Sequence, residues 1–309
     1  MLLTSDQIAQ FHRDGFVIIR GMYGGAELKA LQDAADKVMW QGVLEIGEHH
    51  LYKPKLDGKK VYFRSENMWG RDPVFRAATV KPDLLACIGQ CIGHSFLPIN
   101  DSFVCKVPYG DVPIEWHQDP PYGFFNPPHY ETFDIPNFDT DLYLDHSTIE
   151  NGCVWGIPGK HLVGHVDLSK YSQEELFKKF GAVPLEMAPG DVLFHALSAP
   201  HGSIGNKTSS VRRIFYVHYM NEEVLNASYP QWVPNMRGFK PEGKALAKQM
   251  IEERKKLGWG GLEGAPVKIN ANGDFEFTGQ PTTPLRYWGK LIGAIPQDRK
   301  ERLRRLEQV

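Results

Sequence analysis

Cysteine is scarce: four in 309 residues are too few to staple a chain of this length. Cys87 and Cys91 sit in an apolar stretch that reads as helix, where core thiols are expected rather than metal ligands. Free thiols fit a reducing interior, so a cytoplasmic location is expected. Charge of one sign is also lacking. Thirty-five basic against 37 acidic residues give a formal net charge of -2, which leaves no basic footprint for nucleic acid or an anionic membrane surface. No apolar run approaches the roughly 18 residues that suggest a membrane span. The opening Met-Leu-Leu-Thr-Ser-Asp puts no cationic segment ahead of a hydrophobic core, so no secretory signal is expected. A Walker loop, a dinucleotide-binding glycine fingerprint, a His-Glu-x-x-His helix and a Gly-x-Ser-x-Gly elbow are all missing.

What is present describes a globular chain. Hydrophobic residues at 42% and charged residues at 23% supply material for a core that buries about three-quarters of the unfolded surface. The first hundred residues read as helical additions. Thr4 or Ser5 caps a helix carrying Ile8 and Phe11 that Gly15 ends before Phe16-Val17-Ile18-Ile19. A second helix runs from Ala26 to about Trp40, and a third begins at Pro82-Asp83 and ends at Gly93. Short segments near 102–107, 140–145, 153–157, 191–197 and 211–220 are then rich in Val, Ile, Leu, Phe and Tyr and bounded by turn residues, as in a sandwich or barrel. The interruption at 168–180 reads as helix, because Ser172 and Glu175 have capping-box spacing before Leu176-Phe177. Beyond 221 the pattern predicts a helix near 241–257, a hairpin at Asn272-Gly273 and a charged helix after Pro296. With no repeat or linker, one mainly β domain with flanking helices over 1–309 is expected, its core in 1–220 and a C-terminal extension in 221–309.

Histidine and carboxylate spacing carries the chemistry. Alternate residues of a strand project to one face, so His-x-Asp can grip one metal ion. The pattern occurs three times, at His12/Asp14, His117/Asp119 and His165/Asp167, and His129/Glu131 is a carboxylate variant. His12 and Asp14 fall in the first helix, where such spacing points to different sides and a surface role is expected. His165 and Asp167 read as loop residues. His117 and Asp119 follow a strand-like segment, between Trp116 and a Pro-Pro pair. Far downstream Pro200-His201-Gly202-Ser203 offers a second histidine. Two histidines and one carboxylate leave open positions on a non-haem Fe(II). Arg212 then lies on the adjoining strand, where a guanidinium fork suits a carboxylate held beside the metal and Ser203 adds a hydroxyl.

In these stretches the chain resembles the phytanoyl-CoA dioxygenase family of Fe(II)/2-oxoglutarate oxygenases. The likeness runs from Leu-Thr-Ser-Asp-Gln and Phe-His-Arg-Asp-Gly-Phe-Val-Ile-Ile-Arg-Gly, through Trp-His-Gln-Asp at 116–119 and Glu150-Asn151-Gly152-Cys153-Val154-Trp155-Gly156-Ile157-Pro158-Gly159-Lys160-His161, to Pro200-His201-Gly202-Ser203 and Arg212. It implies a double-stranded β-helix (a cupin-like jelly roll) with iron on His117, Asp119 and His201. It also implies 2-oxoglutarate and O2 as co-substrates, with the distal carboxylate of 2-oxoglutarate on Arg212 and Ser203. Arg213 is the competing choice, because strand alternation lets only one of the pair face the pocket; the family places its arginine eleven residues after the distal histidine, which favours Arg212. Arg64 is a further candidate for approaching the co-substrate. His161 and His165 belong to the family's Pro-Gly-x-His stretch and are read as structural.

The activity so implied is oxidation, by default hydroxylation, of an unactivated C–H bond in a small organic metabolite, with release of succinate and CO2. Asp119 argues against the halogenating relatives, which lack that carboxylate, and leaves desaturation, ring formation, endoperoxidation and epimerisation open. Tyr122, Phe124, Phe125, His129 and Tyr130 could wall a substrate pocket or be ordinary core. Trp232, Trp259, Tyr287 and Trp288 could form a lid or a contact between copies of the chain. Two other functions fit less of the pattern. A zinc hydrolase or isomerase would use the same triad without Arg212; a non-catalytic jelly-roll binding module would keep only the fold.

Overall fold

A computed structural model describes residues 1–44, 50–55, 57–119, 138–228, 239–279 and 299–307. Helix α1 (Ser5–Asp14) starts where the Thr4 side chain accepts from the Gln7 backbone and Gln7 answers to the Thr4 N–H. This reciprocal cap satisfies two amides that the first turn would otherwise leave bare. Gly15 ends the helix at φ 83°, and a Cβ there would come within 2.5 Å of the His161 ring. Backbone conformation and close approach together demand glycine. The chain turns at once into β1 (Phe16–Ile19), followed by α2 (Gly25–Val43), β2 (His50–Pro54), β3 (Lys60–Glu66), α3 (Met68–Arg71), α4 (Pro73–Thr79) and α5 (Pro82–Ile92).

The β portion comprises β4 (Ser95–Lys106), β5 (Ile114–His117), β6 (Phe138–Tyr143), β7 (Val154–Gly156), β8 (Val183–Leu185), β9 (Val192–Ala196), β10 (His201–Ser203) and β11 (Arg212–Asn221), with α6 (Gln173–Lys178) before β8. After α7 (Glu222–Ser228) and α8 (Phe239–Lys256), the predicted hairpin is β12 (Val267–Ile269) and β13 (Phe275–Phe277), and a last helix spans Arg299–Glu307. Every strand pairing among the described residues is antiparallel. A nine-stranded sheet runs β1-β9-β6-β11-β4, with β13-β12 and β3-β2 both attached along the free side of β4; a four-stranded sheet runs β5-β10-β7-β8. Tyr143, Leu193 and Ile214 of the large sheet meet Val154 and Leu185 of the small one in a shared apolar cluster. The two sheets therefore face each other as the expected jelly roll, with helices outside.

Alternation along β11 decides what lies within. Phe215, Val217 and Tyr219 join the helical residues Phe11, Leu31, Phe75 and Leu85 in the main core. Fully burying such side chains stabilises by about 1.5–3 kcal/mol each. The opposite face therefore carries Arg212, Ile214, Tyr216 and His218 into the space between the sheets. Arg213 points to the helices. Its Nε and Nη2 donate to Asp145 at 2.8 Å each, and its Nη1 donates to Asp36 at 2.5 Å and to the Gln32 carbonyl at 3.1 Å. That fork staples β11 to α2.

One expectation fails. His12 is not on the surface but 9% exposed, because α1 turns it toward the Pro-Gly-x-His stretch, where His161 Nε2 meets the His12 carbonyl at 3.2 Å. Spacing of i, i+2 on a helix sends His12 and Asp14 to different sides, and it is the His12 side that the rest of the fold covers. Burial pushes both imidazoles down to about 4. A group held neutral in the fold but protonated at about 6.5 when unfolded stabilises fully above that pH and less as pH falls toward the folded value. Stability should therefore decline between about pH 6.5 and 4, before most carboxylates titrate. Urea unfolding midpoints across that window check this; a flat profile would contradict it.

Candidate active site

β5 and β10 lie side by side with His117 directly opposite His201. The pairing brings two rings, far apart in sequence, to a centroid separation of 4.2 Å. Asp119 sits just past the end of β5, its backbone N–H donating to the Leu197 carbonyl at 2.8 Å, so the loop that leads to His201 also fixes the carboxylate. The Nε2 atoms of His117 and His201 stand 3.8 and 3.6 Å from the two Asp119 oxygens. One potential ligand atom from each of the three residues falls within 4.8 Å of the others.

Tautomers are set by neighbours. His117 Nδ1 lies 2.7 Å from the Glu115 carbonyl and His201 Nδ1 lies 3.0 Å from the Ala199 carbonyl. A carbonyl can only accept, so each Nδ1 carries the proton and each Nε2 turns a lone pair toward Asp119. Burial, then the nearby His117 and His201 rings, act in opposite directions on Asp119, and the net shift is downward. Burial together with His117 and His195 pushes His201 down to about 3, leaving a neutral imidazole at ordinary pH.

Gln118, the middle residue of the motif, faces the other way. Its Nε2 donates to the Gly164 and Ser198 carbonyls at 3.0 and 2.6 Å, and its Oε1 accepts from the Val166 N–H at 2.9 Å. It straps the 164–166 segment to the loop before His201. His165 is buried and Asp167 caps a short turn by accepting from the Ser169 N–H at 3.2 Å, so the structure places neither with the cluster.

A second set of donors was not singled out in the sequence. Asp119, Asp139 and His195 also bring one ligand atom each within 4.8 Å. The His195 ring centroid is 4.7 Å from that of His201, and its Nε2 is 3.3 Å from Asp141 Oδ1. Burial lowers the His195 pKa, but Asp141, Asp139 and Asp119 outweigh it and raise it to about 10. Burial lifts Asp139 to about 7. The signal available was position alone: Asp139 and Asp141 alternate on one strand, and His195 closes its neighbour.

Arg212 is 1% exposed, and its Nε and Nη1 meet no hydrogen-bond partner among the described residues. Ser203, 2% exposed, is two residues beyond His201 on β10 and hence on the same face. Arg64 lies on β3 in an ion pair with Glu66, and its charge bears on Asp119 and Asp139. Tyr122, Phe124, Phe125, His129, Tyr130, Glu131, Trp232, Tyr287 and Trp288 lie outside the described residues. Trp259 is described; the Arg254 guanidinium stands 5.6 Å over its ring. Among the described residues no helix is long and apolar enough to cross a membrane.

The phytanoyl-CoA dioxygenase (PhyH) family profile matches residues 11–214. The chain belongs to the phytanoyl-CoA dioxygenase family. It is accordingly a 2-oxoglutarate-dependent non-haem iron dioxygenase, with iron as its metal and 2-oxoglutarate and O2 as co-substrates. This sets aside the hydrolase and binding-module readings. Within the family the chain is similar to a methylphosphonate hydroxylase of Gimesia maris, 26% identical over 221 residues that cover 70% of this chain and 80% of the relative. A phytanoyl-CoA dioxygenase of Arabidopsis thaliana is 22% identical over 75% of this chain and 93% of its own. Among solved structures, EctD from S. alaskensis with 2-oxoglutarate and 5-hydroxyectoine is similar in fold, at a TM-score of 0.58 and 20% identity over 72% of this chain and 77% of that one.

Proposed function

We propose that His117, Asp119 and His201 hold a single Fe(II), that Arg212 with Ser203 receives the distal carboxylate of 2-oxoglutarate, and that the enzyme hydroxylates an unactivated C–H bond of a small organic metabolite, releasing succinate and CO2. The observation that carries this reading is the convergence of two Nε2 lone pairs and a carboxylate, with a buried guanidinium facing the same space between the sheets, its charge bearing on Asp141 and two of its nitrogens without a partner among the described residues. Such a donor set suits iron with open positions, and an uncompensated buried cation is costly unless an anion arrives to meet it. His195 is the poorer ligand for the same ion. Its Nε2 stands 3.3 Å from Asp141 Oδ1, so that carboxylate rather than the ion is its near partner.

When bound, the iron with its keto acid supplies the oxidising power that breaks the substrate C–H bond. The chain's own residues do the rest. Backbone carbonyls of Glu115 and Ala199 fix the tautomers of the two histidines, Gln118 holds the loops behind them, and Arg212 orients the co-substrate from the buried end of the site. Hydroxylation and a small substrate are supported by the relative named as a methylphosphonate hydroxylase. The test is a screen of small metabolites and phosphonates with purified enzyme, Fe(II) and 2-oxoglutarate. Succinate should appear in step with a product 16 mass units heavier than the substrate. Succinate coupled to a product of unchanged or lower mass would replace hydroxylation by epimerisation or desaturation.

A further inference from the structure

Tyr143 ends β6 and is completely buried, yet its hydroxyl meets no hydrogen-bond partner among the described residues. Folding strips this group of water without replacing the lost bonds, which is costly and calls for a reason. The ring is accounted for. It packs with Phe16, Val154, Leu185, Leu193 and Ile214 between the two sheets, so only the hydroxyl is unprovided for.

The same situation recurs beside it in the Nε and Nη1 of Arg212. Tyr143 pairs with Ile214 across the β6–β11 ladder, and Arg212 is two residues along β11 on the same face. Such diagonal neighbours stand about 7–8 Å apart at the backbone, within reach for long side chains. The Arg212 charge bears on the phenol, although burial and then Asp141 dominate and hold its pKa well above the ordinary value. The phenol thus stays protonated and can donate. Ser203 lies across on β10, opposite Val154, itself in the cluster around the Tyr143 ring.

We propose that the Tyr143 hydroxyl donates a hydrogen bond to the distal carboxylate of 2-oxoglutarate beside the Arg212 fork, and so makes this end of the pocket selective for a dicarboxylic keto acid. A carboxylate offers about four lone-pair sites, of which a guanidinium fork uses two. A phenol and a serine hydroxyl are suited to the remainder. The inference rests on the reading that places the distal carboxylate at Arg212.

The test compares Fe(II)-loaded wild type, Tyr143→Phe and Arg212→Ala under anaerobic conditions. Each is titrated with 2-oxoglutarate and with 2-oxopentanoate, which keeps the chelating end and chain length but has a methyl in place of the distal carboxylate. Tyr143→Phe should weaken 2-oxoglutarate binding about ten- to a hundredfold, the range for one hydrogen bond to a charged group, and leave 2-oxopentanoate binding unchanged. Its thermal midpoint without co-substrate should be equal or higher, because an unpaired buried hydroxyl has been removed. Unchanged 2-oxoglutarate binding, or equal loss for both acids, would overturn the proposal. Loss in Arg212→Ala without loss in Tyr143→Phe would overturn only the role of Tyr143; binding intact in both would remove the Arg212 reading as well.

Discussion

Asp119→Ala is expected to abolish turnover while leaving the fold intact. Asp119 brings its carboxylate within 4 Å of both the His117 and the His201 Nε2, and without it those two imidazoles would have to hold a dication with no ligand charge to balance it. Losing a partner that merely supports a metal ligand typically costs 10- to 100-fold in affinity or activity; losing the ligand itself should exceed a hundredfold in iron affinity. Stability should change little, since the group is partly exposed and its backbone bond to Leu197 survives the substitution. Iron retained per chain after gel filtration, measured with succinate release and the unfolding midpoint, checks the three parts together. Full hydroxylation by this variant would show that the ligand assignment is wrong.

The second large effect separates adjacent residues. Arg212→Ala should raise the 2-oxoglutarate requirement a hundredfold or more, because a bidentate fork supplies two charge-assisted bonds of about 1.5–3 kcal/mol each. It should leave stability nearly unchanged, since the wild-type guanidinium is buried with two nitrogens that meet no partner among the described residues. Arg213→Ala should do the reverse. Removing that fork leaves Asp145 partly buried and uncompensated beside a severed link to α2, a loss of about 3–5 kcal/mol, while the folded fraction keeps its affinity for 2-oxoglutarate. Unfolding midpoints and KM for 2-oxoglutarate in the two variants decide the matter. The opposite ranking would mean that Arg213 serves the co-substrate.

These two arginines also mark how far the sequence could be read. Alternation says that only one of them faces the pocket, but not which; their surroundings do, with Arg213 paired to Asp145 and Asp36 and the Arg212 Nε and Nη1 without a partner among the described residues. Local signals are legible wherever the chemistry is local: a cap at Thr4 or Ser5, which the structure assigns to Thr4, the Ser172–Glu175 box, Gly15, the hairpin at Asn272-Gly273. The three-residue strand His201–Ser203 was not, since Gly and Ser carry no strand preference and only pairing with β5 and β7 makes it one. β2 and β3 escaped for a related reason, their lysines and arginine diluting the apolar pattern. His12 was misplaced because its cover, His161, comes from a distant stretch. Asp139, Asp141 and His195 carry no sequence signal of their own, because apolar residues mark these strands and these three are the polar alternates that face inward.

Anaerobic titration of the purified chain with Fe(II) and then 2-oxoglutarate tests the central claim most directly, by the visible charge-transfer band of a keto acid chelated to iron. A saturable band at one iron per chain is expected in wild type, absent from Asp119→Ala and shifted to much higher 2-oxoglutarate in Arg212→Ala. A wild-type chain that gives no band, or an Asp119→Ala chain that gives the same one, would contradict a single iron held by His117, Asp119 and His201.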